Sequence, residues 1–197
     1  HLLGHIKSID EKIEGIACVD TSPVTEKAWA QRAGLGWIGK HTNLLTRDYS
    51  SWLFLGVLIL DTELMFDNPY EDDMCGSCTA CIDDCPTGAL VEPYQLDANK
   101  CISYLTIEHK GDIPLEFHNK LNNWIYGCDI CQEVCPWSHK FSQITDFDSF
   151  QPRSDINKRK ISDWKNMTEA EFQVLFKKSA VKRTKYLGLK RNINLLD

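Results

Sequence analysis

The sequence predicts an α+β protein in three parts, and three observations support this fold class. The run "SWLFLGVLIL" (residues 51–60) is continuously apolar between polar residues, as in a buried strand. The run "CGSCTACIDDCP" (residues 75–86) opens a cysteine-rich region in which only short helices fit between loops. Further on, "MTEAEFQVLFKKSAVKRTKYLGL" predicts a helix, because Thr168 and Glu171 can form a capping box. We therefore expect an α/β part at 1–70, a cysteine-rich part at 71–140 and a helical part at 141–197.

Shorter elements are predicted from local signals. In "DTSPVTEKAWAQRAGLG", Ser22 can cap a helix, Pro23 fits its first position, and Gly34 fits the position after its end. The acidic, turn-rich stretch "DTELMFDNPYEDD" predicts a linker. Short helices are expected over 101–108 and 114–121.

Composition and charge exclude some classes of protein. The net charge of −6 over 197 residues argues against a general nucleic-acid binder. No apolar run approaches about 18 residues, so we expect no membrane contact and a cytoplasmic protein. The first residues, "HLLGHIKSID", contain neither an initiator methionine nor a signal peptide, and we interpret them as the interior of a longer chain. Positive charge is concentrated near the end, at Lys177, Lys178, Lys182, Arg183, Lys185, Lys190 and Arg191.

Nine cysteines are many, and their spacing indicates what they bind. A disulfide framework is disfavoured because the number is odd and the cysteines cluster at two- and three-residue gaps. The first motif, C-x2-C-x2-C-x3-C-P, has the spacing of bacterial ferredoxins, in which the fourth cysteine ligates the other cluster. The second, "CDICQEVCPW", matches the later half of this pattern, and Cys101 is available as its missing ligand.

The crossed ferredoxin rule assigns eight cysteines to two [4Fe–4S] clusters. A pair of zinc sites is the alternative, but zinc needs neither three cysteines at consecutive two-residue gaps nor the proline closure. The ninth cysteine, Cys18, is expected to be a small buried residue. The first cluster takes Cys75, Cys78, Cys81 and Cys135, and the second takes Cys85, Cys101, Cys128 and Cys131.

Three segments resemble epoxyqueuosine reductases: "VDTSPVTEKAWAQRAGLGWIGKHTNLL", "CGSCTACIDDCPTGALVEPYQLDANKCISYLTIEH" and "YGCDICQEVCPW". The resemblance extends from about Cys18 to Asn192, and an ordinary ferredoxin lacks the first segment. It implies the later part of a cobalamin-binding domain, related to that of reductive dehalogenases, packed on a two-cluster ferredoxin-like domain. It also implies that an N-terminal segment of the family, and any C-terminal helical-repeat extension, lie outside this sequence.

The resemblance implies an activity. The family reduces epoxyqueuosine to queuosine at the wobble position of certain transfer RNAs. Cob(I)alamin would act on the epoxide and be re-reduced through the clusters by an external low-potential donor. We expect base-off cobalamin without a protein histidine on cobalt, and a monomeric protein.

The same resemblance implies site residues. Asp20 would be the general acid, although its position alone favours a helix cap. Gly39 would allow close approach of the corrin, and Lys40 would pair with the nucleotide-loop phosphate or a propionamide oxygen. Further cobalamin contacts are expected at Leu44, Ser103, Cys128 and Asp129.

Other interpretations remain open. The chain could be a two-cluster ferredoxin module serving a partner enzyme, or a corrinoid reductive dehalogenase. A ferredoxin module would not need the "VDTSP" and "GLGWIGKHT" segments, and a dehalogenase would be expected to carry an export signal and a tyrosine acid. The basic residues near the end form either a solvated helix face or a contact with transfer RNA.

Overall fold

The computed structural model describes residues 1–196, so Asp197, the last residue of the predicted helical part, lies outside the described residues. The α-helices of residues 1–196 are short: α1 Leu2–Ile9, α2 Glu26–Arg32, α3 Ala80–Asp83, α4 Ile102–Ile107, α5 Ile130–Glu133, α6 Pro136–Phe141, α7 Ser154–Asn157, α8 Ile161–Lys165, α9 Glu169–Leu175 and α10 Lys185–Ile193. Four 3-10 helices cover Ala98–Lys100, Leu115–Lys120, Asp148–Phe150 and Ala180–Thr184. The strands are β1 Gly15–Cys18, β2 Trp37–Ile38, β3 Leu44–Leu45, β4 Val57–Leu60, β5 Leu90–Glu92 and β6 Gln95–Leu96. The predicted mixture of helices and strands is thus confirmed.

The strands pair only as antiparallel two-stranded sheets, β1 with β4, β2 with β3 and β5 with β6, within the described residues. The predicted buried strand over 51–60 is wrong for most of its length, because only Val57–Leu60 is a strand. Strand β4 pairs only with β1 in the described residues, none of its four residues is fully buried, and Ile59 is 51% exposed. Phe54 is exposed and stacks on Phe150. Cys18, by contrast, is buried as predicted.

The helix predicted to start at Ser22 begins later. Ser22 and Pro23 lie instead in tight turns, because the Thr21 amide donates to the Val19 carbonyl and the Val24 amide to the Ser22 carbonyl. Helix α2 therefore starts at Glu26. Its end agrees with the sequence, because Gly34 follows it with φ +73°, a conformation that glycine adopts without a steric penalty.

The acidic stretch from Asp61 to Asp73 contains no helix or strand, as expected of a linker, yet it is attached to α2. The Tyr70 amide donates to the Gln31 carbonyl, and the Gln31 side-chain amide donates back to the Tyr70 carbonyl. Arg47 Nε donates to the Tyr70 hydroxyl. These bonds fix the chain just before the first cysteine.

Three apolar clusters form the core, and one of them joins the first two predicted parts. Trp37 and Leu45, on the β2–β3 hairpin, pack with Cys135 and Trp137. The edge of Trp137 meets the Trp37 ring at a centroid distance of 4.7 Å. A second cluster lies around α4 and the following 3-10 helix, and a third lies among α9, α10 and the loop before α9. The boundary near residue 70 therefore does not separate independent cores.

The C-terminal part is also bonded to α4. Asn192 on α10 donates to the carbonyls of Thr106 and Ile125 at 2.8 and 2.9 Å, and Thr184 donates to the Thr106 carbonyl. The Thr106 hydroxyl accepts from the Gly127 amide one residue before Cys128. A buried polar network of this kind holds α10 in register against the second cysteine motif.

The long helix predicted over residues 167–189 is wrong. The capping box is confirmed, because the Glu171 amide donates to the Thr168 hydroxyl and the Thr168 amide to the Glu171 carboxylate. Helix α9 nevertheless ends at Leu175. Lys178 takes φ +61°, and Ser179 caps the next 3-10 helix through the Val181 amide, so the chain turns before α10. Among the described residues, every helix is too short or too polar to cross a membrane.

Candidate two-cluster iron–sulfur site

Eight of the nine cysteines surround two cavities. A cavity of about 250 Å³ is lined by Cys75, Cys78, Cys81 and Cys135. A cavity of about 270 Å³ is lined by Cys85, Cys101, Cys128 and Cys131. We call these the first and second cavity. The structure thus brings together the two crossed sets that the spacing predicted.

The two cysteine motifs fold in the same way, which explains the crossing. In each motif a four-residue helix contains the cysteine that precedes the three-residue gap: α3 carries Cys81 and α5 carries Cys131. Each helix then carries the chain to a last cysteine, Cys85 or Cys135, that lines the other cavity. Pro136 follows Cys135 and occupies the first turn of α6, where its missing N–H is not needed.

Burial disfavours the thiolate, and so raises the pKa, at four of these positions: Cys75, Cys81, Cys128 and Cys131. Burial raises the pKa of Cys81 to about 11 and that of Cys131 to about 12. Cys85 differs: burial would raise its pKa, but the backbone amides of Leu90 and Ala89 hold it below its usual value. Because metal ligation requires deprotonated cysteine, a bound cationic group would have to compensate the thiolate charge.

The arrangement fits a bulky cluster better than a single ion. Among residues 1–196, no three histidine, cysteine, aspartate or glutamate side chains converge closely enough to hold one metal ion. A structural zinc ion needs four ligands at about 2.0–2.3 Å, so the cysteines would have to close in on a common centre. A cubane would instead fill the space that the four cysteines of each cavity line.

Lys40 and His41 form part of the cavity walls. The Lys40 ammonium group donates to the carbonyls of Gly76 and Cys78 at 2.6 and 3.0 Å, and thus holds the first cysteine loop. His41 is 3% exposed and lines both cavities. Burial lowers the pKa of His41 to about 4, so the ring is neutral.

Three of the predicted cobalamin contacts meet at the second cavity. Ser103, on α4, lies in its wall with Cys128 and Asp129. Burial raises the pKa of Asp129, whose carboxylate accepts from the Gln132 side chain. Lys27, Thr42 and Asn43 are among the lining residues that sequence reasoning missed, although all three lie within the singled-out "VDTSPVTEKAWAQRAGLGWIGKHTNLL" segment.

Gly39, Lys40 and Leu44 lie inside the fold. A Cβ on Gly39 would come within 2.6 Å of Leu45 Cδ1, so internal packing explains this glycine. Lys40 bonds to the cysteine loop rather than to a free anion site, and Leu44 is 3% exposed. These positions give no support to the predicted cobalamin contacts of the three residues, which stay predictions.

Asp20 is not a helix cap. Thr25 precedes α2, whereas Asp20 lies five residues earlier in an exposed loop with φ +54°. Its carboxylate accepts from Arg183 Nη1 at 3.0 Å, and Arg183 also pairs with Glu108 at the end of α4. Asp20 is therefore held near the C-terminal end of α4, whereas Ser103 lies near the N-terminal end of that helix.

Comparisons with known proteins agree with this geometry. Residues 74–138 match the family model of the 4Fe-4S double cluster binding domain. Together with the two cysteine-lined cavities, this match defines an iron–sulfur protein of the two-cluster class.

Epoxyqueuosine reductases longer than this chain resemble it in sequence and in fold. An epoxyqueuosine reductase of Cellulophaga algicola is 50% identical over 200 residues, which cover 98% of this chain and 65% of the relative. A crystal structure of a selenomethionine-labelled epoxyqueuosine reductase superposes with a TM-score of 0.91 at 37% identity. A second epoxyqueuosine reductase, solved with an epoxyqueuosine-modified tRNA-Tyr stem loop, gives 0.86 at 34% identity. Each covers 98% of this chain, and the chain covers 51% of each. The chain is thus similar to epoxyqueuosine reductases along nearly its whole length, and it spans about half to two thirds of these proteins.

Proposed function

We propose that this chain forms the electron-delivering part of a cytoplasmic reductase that converts epoxyqueuosine to queuosine at the tRNA wobble position. The observation that carries the proposal is the sorting of eight cysteines into two crossed sets, the second of which shares its cavity with Ser103 and Asp129. The family's name, and the relative solved with a modified tRNA stem loop, support the choice of substrate.

Two [4Fe–4S] clusters fit the cysteines, and base-off cobalamin is proposed beside the second cavity. When bound, cobalamin would supply the reducing centre at the epoxide, and the clusters would supply single electrons. Ser103 and Asp129 would face the corrin. An external low-potential donor would deliver electrons to the first cavity, and we propose that the protein acts as a monomer.

Removing the epoxide oxygen as water consumes two electrons and two protons. We assign Asp20 as the group that protonates the departing oxygen. In support, Asp20 lies in the "VDTSP" segment and its loop is exposed, so its carboxyl can reach a substrate. In this structure the Asp20 carboxylate accepts a hydrogen bond from Arg183, so this contact would have to open before Asp20 could donate a proton to the substrate.

The exposed part of the basic region is proposed to contact tRNA phosphates. Arg183 and Arg191 are bonded within the fold, and the Lys190 ammonium group donates to the Lys165 carbonyl. Four lysines remain exposed and can neutralise phosphates: Lys177, Lys178, Lys182 and Lys185.

The first test is anaerobic reconstitution followed by iron analysis, absorbance and EPR. Two clusters predict about eight irons per chain, and the cobalamin proposal predicts a bound base-off cob(II)alamin signal. Eight irons without cobalamin would favour the two-cluster electron-transfer module instead. Zinc in place of iron would refute both electron-transfer functions.

Asp20→Asn tests the acid. We expect unchanged iron content and at least a hundredfold loss of single-turnover reduction, since a positioned general acid contributes about 10²–10⁴-fold. Asp48→Asn is the matched control, because Asp48 is also an exposed loop aspartate. Turnover that survives Asp20→Asn would end this assignment.

A further inference from the structure

His41 is the only side chain, within the described residues, that lines both the first and the second cavity. It is 3% exposed, and its Nε2 atom has no hydrogen-bond partner in the described part of the chain. A buried donor without a partner has lost its hydrogen bonds to water without compensation. This arrangement indicates that something held in a cavity completes the hydrogen bonding of the ring.

The other ring nitrogen defines the tautomer. His41 Nδ1 accepts a hydrogen bond from the Asn43 amide at 3.1 Å, so Nδ1 carries no proton. The proton of the neutral ring therefore lies on Nε2, which is a donor only. An acceptor must complete the site.

The direction of Nε2 follows from its neighbours. The Nδ1 edge faces Asn43, which lines the second cavity. The Cε1–Nε2 edge lies beside Gly39, because a Cβ built there would be 3.1 Å from Cε1, 3.4 Å from Nε2 and 2.6 Å from Leu45 Cδ1. Leu45 lines the first cavity and not the second. The ring edge that carries Nε2 therefore adjoins a residue of the first cavity.

We propose that His41 Nε2–H donates a hydrogen bond to a sulfur atom of the cluster in the first cavity and thereby raises that cluster's reduction potential. The reduced cluster carries one more negative charge than the oxidised cluster, so a donor at its sulfur stabilises the reduced state more. The inference rests on the proposed cluster assignment. His41 is accordingly a positioning residue for electron transfer and not an iron ligand.

The test is an EPR-monitored redox titration of the reconstituted full chain. His41→Leu removes the donor, and a hydrogen bond to a charged group is worth about 1.5 kcal/mol, or tenfold. The reduced-to-oxidised ratio of the first cluster should fall about tenfold at a fixed potential, a shift of about 59 mV for one electron. His41→Gln, whose amide nitrogen can replace Nε2, should recover most of this shift.

His118→Gln is the matched control, because a His118 ring nitrogen already pairs with the Ile113 carbonyl outside both cavities. Titrations in the Cys131→Ser background, which should retain only the first cluster, assign the shifted potential. Unchanged potentials in His41→Leu, or a shift confined to the second cluster, would overturn the inference. Variants that retain Cys131 should contain about eight irons per chain. If they do, an unchanged potential contradicts the role of His41 and not the proposed clusters.

A second measurement needs no cavity-changing variant. In protein labelled with ¹⁵N-histidine, a hydrogen bond to the reduced first cluster should give a weak ¹⁵N coupling in pulsed EPR. The coupling should persist in His118→Gln. Its absence from the wild-type spectrum would also overturn the inference.

Discussion

Arg191 links α10 to the end of α4 through three hydrogen bonds, and replacing it should loosen the C-terminal part. Its guanidinium group donates to the carbonyls of Leu105, His109 and Gly111, at 2.8, 3.0 and 2.5 Å. These carbonyls lie at the end of α4 and in the turn that follows it. Arg191→Met would keep the aliphatic stem and leave all three acceptors without this donor.

The expected magnitude follows from the three bonds. Arg191 is partly exposed, so each bond is assigned the ordinary net value of about 1 kcal/mol rather than the higher value for fully buried charges. The unfolding free energy should then fall by about 3 kcal/mol. For a chain of this size the melting temperature should fall by roughly 6–12 °C.

Anaerobic thermal unfolding of the reconstituted protein, followed by circular dichroism, measures this change. Lys182→Met is the matched control, because Lys182 is an exposed cation in the same basic region. We expect the control to lie within about 0.5 kcal/mol of the wild type. Equal melting temperatures for the two variants would refute the structural role of Arg191.

The remaining predictions concern the hairpin, the second cavity and the exposed lysines. Gly36→Ala should lower the free energy of unfolding in urea by about 3 kcal/mol, because its Cβ would lie 1.9 Å from the Leu45 carbonyl oxygen. Gly56→Ala is the control, since a Cβ has room there and stability should not change. Cys131→Ser should remove about four irons while the buried Cys18→Ser removes none, and equal iron contents would contradict the assignment. Changing the four exposed lysines to Gln should weaken stem-loop binding and flatten its salt dependence without lowering the melting temperature; unchanged affinity would leave them as a solvated surface.

The cysteine sets could be predicted because their information is local. A C-x2-C-x2-C-x3-C run can wrap one cavity with three cysteines and send the fourth away on a short helix. The Thr168–Glu171 capping box and Gly34 were predictable for the same reason, since each concerns a few adjacent residues.

Features that depend on distant contacts could not be predicted in this way. Whether residues 51–60 form one strand depends on the pairing partner, and β1 reaches only Val57–Leu60. The contact of Asp20 with Arg183 joins residues 163 positions apart, and no spacing rule reveals it. The glycines of "GLGWIGKHT" predicted close approach of a corrin, whereas the structure shows Gly36 and Gly39 packed closely against Leu45 within the protein.

The crossed cysteine sets have a consequence for maturation and for damage by oxygen. With both clusters bound as proposed, Cys135 is tied to the run that begins at Cys75, and Cys85 is tied to Cys128 and Cys131. Each tie closes a loop of roughly fifty residues, and by the chain-entropy argument for disulfides such a cross-link disfavours the unfolded chain by about 4 kcal/mol. Oxidative loss of a cluster would therefore remove a cross-link from the polypeptide as well as an electron carrier. Protease sensitivity should then rise in step with bleaching of the iron–sulfur absorbance.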